Sequence, residues 1–238
     1  MKIYWTVMLF ILLLSFYFTV TAYYSSLSHK QQDTLAKLEC IAATLSLNFS
    51  GDQLETLLQR YPTQDAITSS DEDSLYYQLH EKLRKVYEIN QLNSDIYTLT
   101  FDSVHQHFYF GVTSGETPYF RHVYNSHPED FINKYYTGGQ IDRFEDENGV
   151  WLSAITPVKN SLGKVVAVIA VDQHFNDFTS EARALLLKDT IISIFVIIFL
   201  SFSLRRILKQ ILIAEEKTTR LIKESRQLLE EKNKKITD

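Results

Sequence analysis

Apolar and polar positions alternate along this chain in three different rhythms. From Ile3 to Tyr24 there are 22 residues without a charge, and from Thr190 to Leu204 another 15. As a helix the first stretch measures about 33 Å, enough to cross a hydrocarbon core of about 30 Å. The second reaches about 22 Å alone and spans once Ala184 to Leu187 join it, with Lys188 extended to the headgroups and Asp189 at the interface. Transmembrane helices are therefore expected over 3–24 and 188–207. Val20-Thr21-Ala22 also has the small residues of a signal-peptide cleavage site, but the apolar stretch exceeds the usual core of about 7 to 15 residues, and an uncleaved anchor is the preferred reading.

Between the spans lie 25–187, 163 residues and one domain's worth of chain. All seven glycines and all four prolines fall between positions 51 and 163, so both ends can form long helices. Leu35, Leu38, Ala42, Leu45 and Phe49 continue the first span at helical spacing until Asn48 to Gly51 stops it. Asp52 with Glu55 reads as the cap of a short helix through Leu54, Leu57 and Leu58. Ser70 to Ser74 offers N-caps for a helix facing inward with Tyr76, Leu79, Leu83 and Val86 and ending at Asn90 to Asn93. The period then changes to that of strands, at 96–101 and 107–112. Ser126, Pro128 and Glu129 start a short helix that Gly138-Gly139 ends. Strands at 150–158 and 164–172, joined by the turn Lys159 to Gly163, read as an antiparallel hairpin. Helices followed by a small antiparallel sheet make an α+β domain.

From about Asn176 nothing breaks the chain, and one helix runs on to Ile236. Beyond the second span, Leu204, Leu208, Ile211, Glu215, Thr218, Ile222, Ser225, Leu229, Lys232 and Ile236 alternate steps of four and three. This is a heptad seam with polar interruptions, expected over 208–238 as a weak parallel dimeric coiled coil, with a solvated amphipathic helix as the alternative.

Charge orients this arrangement. Residues 25–189 carry 13 Lys and Arg against 23 Asp and Glu, and residues 205–238 carry 10 against 6. Arg205, Arg206 and Lys209 directly follow the second span. By the positive-inside tendency both termini are cytoplasmic and the acidic domain is extracytoplasmic, in an inner membrane. An acidic outer domain without a basic aromatic surface argues against a nucleic-acid partner. Cys40 is the only cysteine, which excludes an intrachain disulfide; a buried core residue is expected, an intersubunit bond being the alternative.

The run Asp146-Glu147-Asn148-Gly149-Val150-Trp151, the strand closing on Pro157, the Gly163 turn and the apolar strand ending in Asp172 resemble the end of a Cache domain, the PAS-like extracytoplasmic sensor of bacterial receptors. Gly51-Asp52, Ser70 to Leu75 and Asp95 to Leu99 resemble its upstream elements more loosely. The resemblance implies an antiparallel sheet behind a long N-terminal helix, and a small-molecule pocket on one sheet face. In amino-acid-binding members an Arg and nearby aromatics hold the carboxylate and an Asp of the last strand holds the amine. That places Arg121, Tyr119 and Tyr124 at the carboxylate and Asp172 at the amine, with Tyr97 and Trp151 as pocket wall or core. Val123 departs from the pattern, standing where those members often carry Trp. Arg121 serves equally as a structural ion pair, and Asp172 as the cap of the exit helix.

For chemistry of its own the chain offers only His105-x-His107, with His122 or His127 as a third ligand; there is no HExxH, no nucleophile elbow and no phosphate loop. No metal or cofactor is expected, and no catalytic domain. The reading is a homodimeric transmembrane sensor for a small ligand such as an amino acid or carboxylate. It passes its signal to a cytoplasmic output module, a metal-dependent protein phosphatase, cyclase or kinase, that either follows Asp238 or is a partner protein. The alternative is a membrane-anchored assembly protein whose outer domain binds a protein.

Overall fold

The computed structural model describes residues 2–125 and 127–237, with side chains described throughout except at 2–3, 176–178, 180–182, 185, 228, 230 and 231–237. Ser126, one of the helix-start residues, lies outside the described residues. Five helices and six strands follow one another: α1 (Lys2–Asn48), α2 (Gly51–Arg60), α3 (Ser74–Ile89), β1 (Ile96–Asp102), β2 (His107–Thr113), β3 (Val123–Tyr124), α4 (Glu129–Lys134), β4 (Gly139–Asp146), β5 (Gly149–Lys159), β6 (Val165–His174) and α5 (Phe175–Thr237). The chain divides into two compact units, residues 25–183 and residues 1–24 with 184–238.

In the first unit the six strands form one antiparallel sheet in the order β3-β2-β1-β6-β5-β4. The last strand in sequence thus lies in the middle, flanked by β1 and β5. Alternation along β6 sends Ala167, Ile169 and Val171 to one face and Val168 and Ala170 to the other. The first face packs on Leu35, Leu38, Ala42 and Leu45 of α1, Leu54 and Leu57 of α2, and Tyr76, Leu79 and Leu83 of α3. The second face gathers Leu99, Phe108, Phe131, Tyr135, Ile141 and Phe144, much of it aromatic. The expected α+β architecture with a long N-terminal helix is therefore present.

The local differences have physical causes. Ser50, not Asp52, caps α2, its hydroxyl accepting from the Gln53 amide at 3.3 Å. Asp52 and Glu55 hold the β5–β6 turn instead. Asp52 accepts from the Ser161 amide and hydroxyl at 3.0 and 2.9 Å, and Glu55 from Asn160 and Lys164 at 2.9 and 3.3 Å. This docking brings the backbone of Lys159 so close to Gly51 that any Cβ there would collide with it. Asp73 caps α3 through the amides of Leu75 and Tyr76, and also binds Arg60 at 2.7 Å, which ties the end of α2 to the start of α3. Cys40 is exposed, because Leu38, Ile41 and Ala42 take the buried positions of that helical turn. Strands β3 and β4 have no counterpart in the periodicity. The first has two residues, and the second, with Asp142, Arg143, Glu145 and Asp146 among its eight, reads as polar surface.

In the second unit, helices at the two ends of the chain are long and apolar enough to cross a membrane. They lie side by side, with Tyr4 Oη and Ser201 Oγ hydrogen-bonded at 2.6 Å. Ile207, Ile211, Leu221, Ile222 and Leu229 are exposed along the rest of α5.

The sheet's helix-covered face predicts a sharp contrast on α1. Leu38→Ala, at a fully buried position, lowers unfolding stability by about 3 kcal/mol, whereas Leu47→Ala, at a position 85% exposed, changes it by less than about 0.5 kcal/mol in the same denaturant titration.

Candidate functional site

The aromatic face of the sheet holds the acidic residue singled out in the sequence. Asp172 lies on central strand β6, and the pleat points it to the same face as Val168 and Ala170. It is 6% exposed, and Tyr97 Oη, on the adjacent strand β1, donates a short hydrogen bond to its Oδ2. Opposite it on β5 stands Ser153. Asp172 Oδ1 and Ser153 Oγ are both buried without a hydrogen-bond partner among the described residues. Burial pushes the Asp172 carboxyl up to about 6, against the pull of the nearby Ser153 and Tyr97 hydroxyls, and Asp146 adds to the rise. The same burial, with the Asp172 charge beside it, drives the Tyr97 hydroxyl well above its ordinary value.

Around this pair the rings interlock. Tyr97 meets Phe110 and Tyr124 edge-on at centroid distances of 5.2 and 6.2 Å, and Tyr124 packs on Phe110 and Phe131. A cavity of about 170 Å³ opens beside these rings, between β2–β3 and the β4–β5 turn. Phe110, Val123, Tyr124 and Asn125 form one wall, and Asp146, Glu147 and Asn148 the other. The turn is built to present its acid: Asp146 Oδ1 accepts from the amides of Asn148 and Gly149 and from Trp151 Nε1, at 2.8, 3.0 and 2.8 Å. Trp151 in turn meets His174 edge-on at 4.8 Å.

Of the six residues marked in the sequence, the structure brings Tyr97, Tyr124 and Asp172 together, with Trp151 linked to them through Asp146 and Tyr119 at the margin, its ring 6.4 Å from that of Phe110. Arg121 points elsewhere. Residues 119–122 form a tight turn in which Tyr119 and Arg121 both take left-handed backbone conformations, with φ of 48° and 62°. The turn sends the guanidinium to the C-terminal end of α2, where it donates to the carbonyls of Leu58 and Tyr61 at 2.6 and 3.3 Å. Arg121 thus caps a helix and, among the described residues, forms no ion pair with an acid. The capping role weighed for Asp172 also fails, since Asp172 belongs to β6 and spends one oxygen on Tyr97.

Asp146, Ser153 and Phe110 were not singled out. Ser153 was not legible: a bulge between Val158 and Lys159 shifts the hairpin register, and counting from the Lys159–Val165 pair at the turn would set Ser153 opposite Val171, not Asp172. The histidines of the weighed metal set are dispersed, His105 on Asp102 at 2.7 Å and His122 on Asp65 at 2.5 Å. Among the described residues no group of three or more His, Cys, Asp or Glu side chains is placed to hold a metal ion.

No family model and no curated protein matches the chain. Solved structures do. The E. coli DcuS sensor domain is 14% identical with a TM-score of 0.45, the match covering 65% of this chain and 98% of that one. The ligand-binding domain of the Campylobacter jejuni chemoreceptor Tlp3, in complex with 4-methylisoleucine, is 12% identical with a TM-score of 0.38, over 69% of this chain and 62% of that one. The periplasmic domain of RsbU from Chlamydia trachomatis is 15% identical with a TM-score of 0.32, over 68% and 58%. The similarity is to periplasmic sensor domains. For the last two, this chain spans about three fifths of the other's length.

The unsatisfied carboxyl makes a prediction about pH. Because its folded value is raised from 3.8 to about 6, Asp172 supports folding below about pH 4, and that support is lost as the pH rises through about 6. Asp172→Asn stays neutral at every pH and keeps an acceptor for Tyr97. At pH 7.5 it is expected to be more stable than the parent by up to about 3 kcal/mol, and at pH 3.5 to match it within about 1 kcal/mol. Denaturant titrations of the two proteins in detergent at both pH values check this; an equal difference at both would refute it.

Proposed function

We propose that the chain is the sensory part of a two-span receptor in an inner membrane. Residues 25–187 are the extracytoplasmic sensor, 3–24 and 188–207 the membrane helices, and 208–238 a cytoplasmic coiled coil that pairs with a second copy. The observation that carries this reading is a buried carboxyl with an unsatisfied oxygen at the head of the exit helix. Asp172 stands three residues before α5 begins at Phe175, on the aromatic face of the sheet. A ligand that satisfies Asp172 Oδ1 and Ser153 Oγ changes the strand that continues into α5. It favours one arrangement of that helix over another by its difference in affinity for the two. The proposed pocket residues are Tyr97, Tyr124, Asp172 and Trp151, with Tyr119 at the rim and Arg121 as the buttress of the turn that carries it.

Two further features support the membrane and dimer parts. Large side chains such as Phe10, Leu13 and Phe16 near the N-terminus and Phe195, Ile198 and Phe199 in α5 stand exposed, an arrangement that lipid satisfies and water does not. Ile211, Ile222 and Leu229, all on the heptad seam, are likewise exposed and available to a partner helix. The output, whether phosphatase, cyclase or kinase, acts through the cytoplasmic end, in a following module or a partner protein; the sensory part has no catalytic role.

One feature favours an assembly role instead, a groove of about 550 Å³ between α1 and α3 with Ile41, Leu45 and Val86 on its walls. It would take a protein partner, and a bound protein would leave Asp172 untouched.

The exposed Cys40 tests the arrangement directly. A membrane-impermeant maleimide should label it in cells whose inner membrane is intact, and small ligands from a panel of amino acids, carboxylates and amines should raise the melting temperature of the full chain in nanodiscs, an effect lost in Trp151→Ala. Labelling only after lysis, or stabilisation indifferent to Trp151 and Asp172, overturns the reading.

A further inference from the structure

Strand β4 breaks its own alternation. Ile141 pairs with Ser153 and Phe144 with Trp151, so three steps along β4 are matched by two along β5, and the extra residue makes a bulge at Asp142-Arg143. In an unbroken pleat Arg143 would share the aromatic face with Ile141. The bulge puts Phe144 there instead, buried against Phe131 at a centroid distance of 5.9 Å, and leaves Asp142 and Arg143 both exposed. These two side chains go to different helices. Asp142 Oδ1 accepts from Gln31 Nε2 of α1 at 3.5 Å, and Gln140 reinforces that contact by donating to Glu39 Oε2 at 2.8 Å. Arg143 lays its guanidinium over the ring of Phe175 at 4.7 Å. Phe175 is the first residue of α5, and its ring packs on the helix-covered core.

The same hairpin meets the start of the exit helix from the other side. Trp151 touches His174 edge-on, and a Cβ on Gly149 would stand 2.4 Å from His174 Nε2, so the β4–β5 turn lies flush on the last residue of β6. His174 is held on the aromatic side, with Trp151, and its neighbour Phe175 on the helix-covered side, under Arg143. The point where the sheet becomes the exit helix is therefore gripped on both faces by one hairpin, and that hairpin is anchored on α1.

We infer that the bulge at Asp142-Arg143 couples the aromatic face to the exit helix. Residues at a bulge leave the regular ladder and can rotate where paired residues are held. Phe144 reads the packing of the aromatic face, and Arg143, the residue before it, bears on Phe175. A displacement of Phe144 turns the bulge and moves the guanidinium on the ring, while Gln31 and Glu39 of α1 hold the other end of the strand in place. A cation over a ring is a contact that can be made and broken without loss of the ladder. The part this coupling plays in signalling rests on the receptor reading above.

Fluorine NMR tests the coupling without a ligand. With 4-fluorophenylalanine at position 175 of the full chain in nanodiscs, the aromatic face is disturbed from α4 by Phe131→Leu, through the contact of Phe131 with Phe144. The substitution is expected to shift the fluorine resonance by more than its line width. Arg143→Gln is expected to remove at least half of that shift, and Arg143→Lys, which keeps a cation over the ring, to preserve most of it. Phe131→Met, a smaller disturbance, is expected to give the same pattern with a smaller shift, and it serves where the leucine variant does not fold. A shift of equal size with and without the guanidinium overturns the role of Arg143. A resonance unmoved by either Phe131 substitution overturns the coupling itself. Because no ligand enters, either failure leaves the receptor reading to the melting-temperature panel, and a panel in which nothing binds leaves the coupling standing.

Discussion

A carboxyl buried at the centre of a sheet, with one oxygen held by Tyr97 and the other beside the Ser153 hydroxyl, is the constraint on which the aromatic face of the sheet domain depends. Such a group costs stability unless something satisfies it. Asp172 is held in this condition by its position: β6 is the middle strand, β1 and β5 cover its edges, and the pleat directs the side chain into a layer of aromatic rings. A well-packed apolar residue there would give a more stable protein. Keeping an acid at the point where the sheet passes into the exit helix is the kind of local cost that functional sites show.

The two faces of the sheet divide the work. The face against α1, α2 and α3 is aliphatic and continuous, and it is fastened by cross-chain contacts such as those of Asp52 and Glu55 with the β5–β6 turn. That side fixes the frame. The other face is covered by one six-residue helix and by turns, and its aromatic rings meet edge-on around a small cavity. Rings with only two rotatable bonds can swing without unfolding the strands that bear them, so this is the face that can rearrange while the frame stays in place.

Much of this was legible in the chain because periodicity reports burial. The β5–β6 hairpin and its turn at Lys159 to Gly163 could be read from the chain, but a bulge between Val158 and Lys159 shifts the register by one residue, which is what brings Ser153 opposite Asp172. Tyr97, Tyr124 and Asp172 were marked through the resemblance to a Cache domain, and they do share a face. What was not legible depended on backbone conformation or distant contacts. Two left-handed residues in the turn at 119–122 turn Arg121 away from Asp172 towards α2, and no spacing rule announces left-handed backbone at Tyr or Arg. Strand β4 carries acidic and basic residues because it is an edge strand, so its sequence resembles a loop. Asp52 looked like a cap because a cap is a local device, whereas its partner Ser161 lies 109 positions away.

The central claim is that Asp172 is the group a ligand must satisfy. Infrared difference spectra of the full chain, recorded at pH 5 on adding the amine of the panel that most raises the melting temperature, observe that carboxyl directly. The account predicts that the carbonyl band of a protonated carboxylic acid disappears as the amine binds, and that neither the band nor its loss is present in Asp172→Asn. A band that persists unchanged with the ligand bound would contradict it.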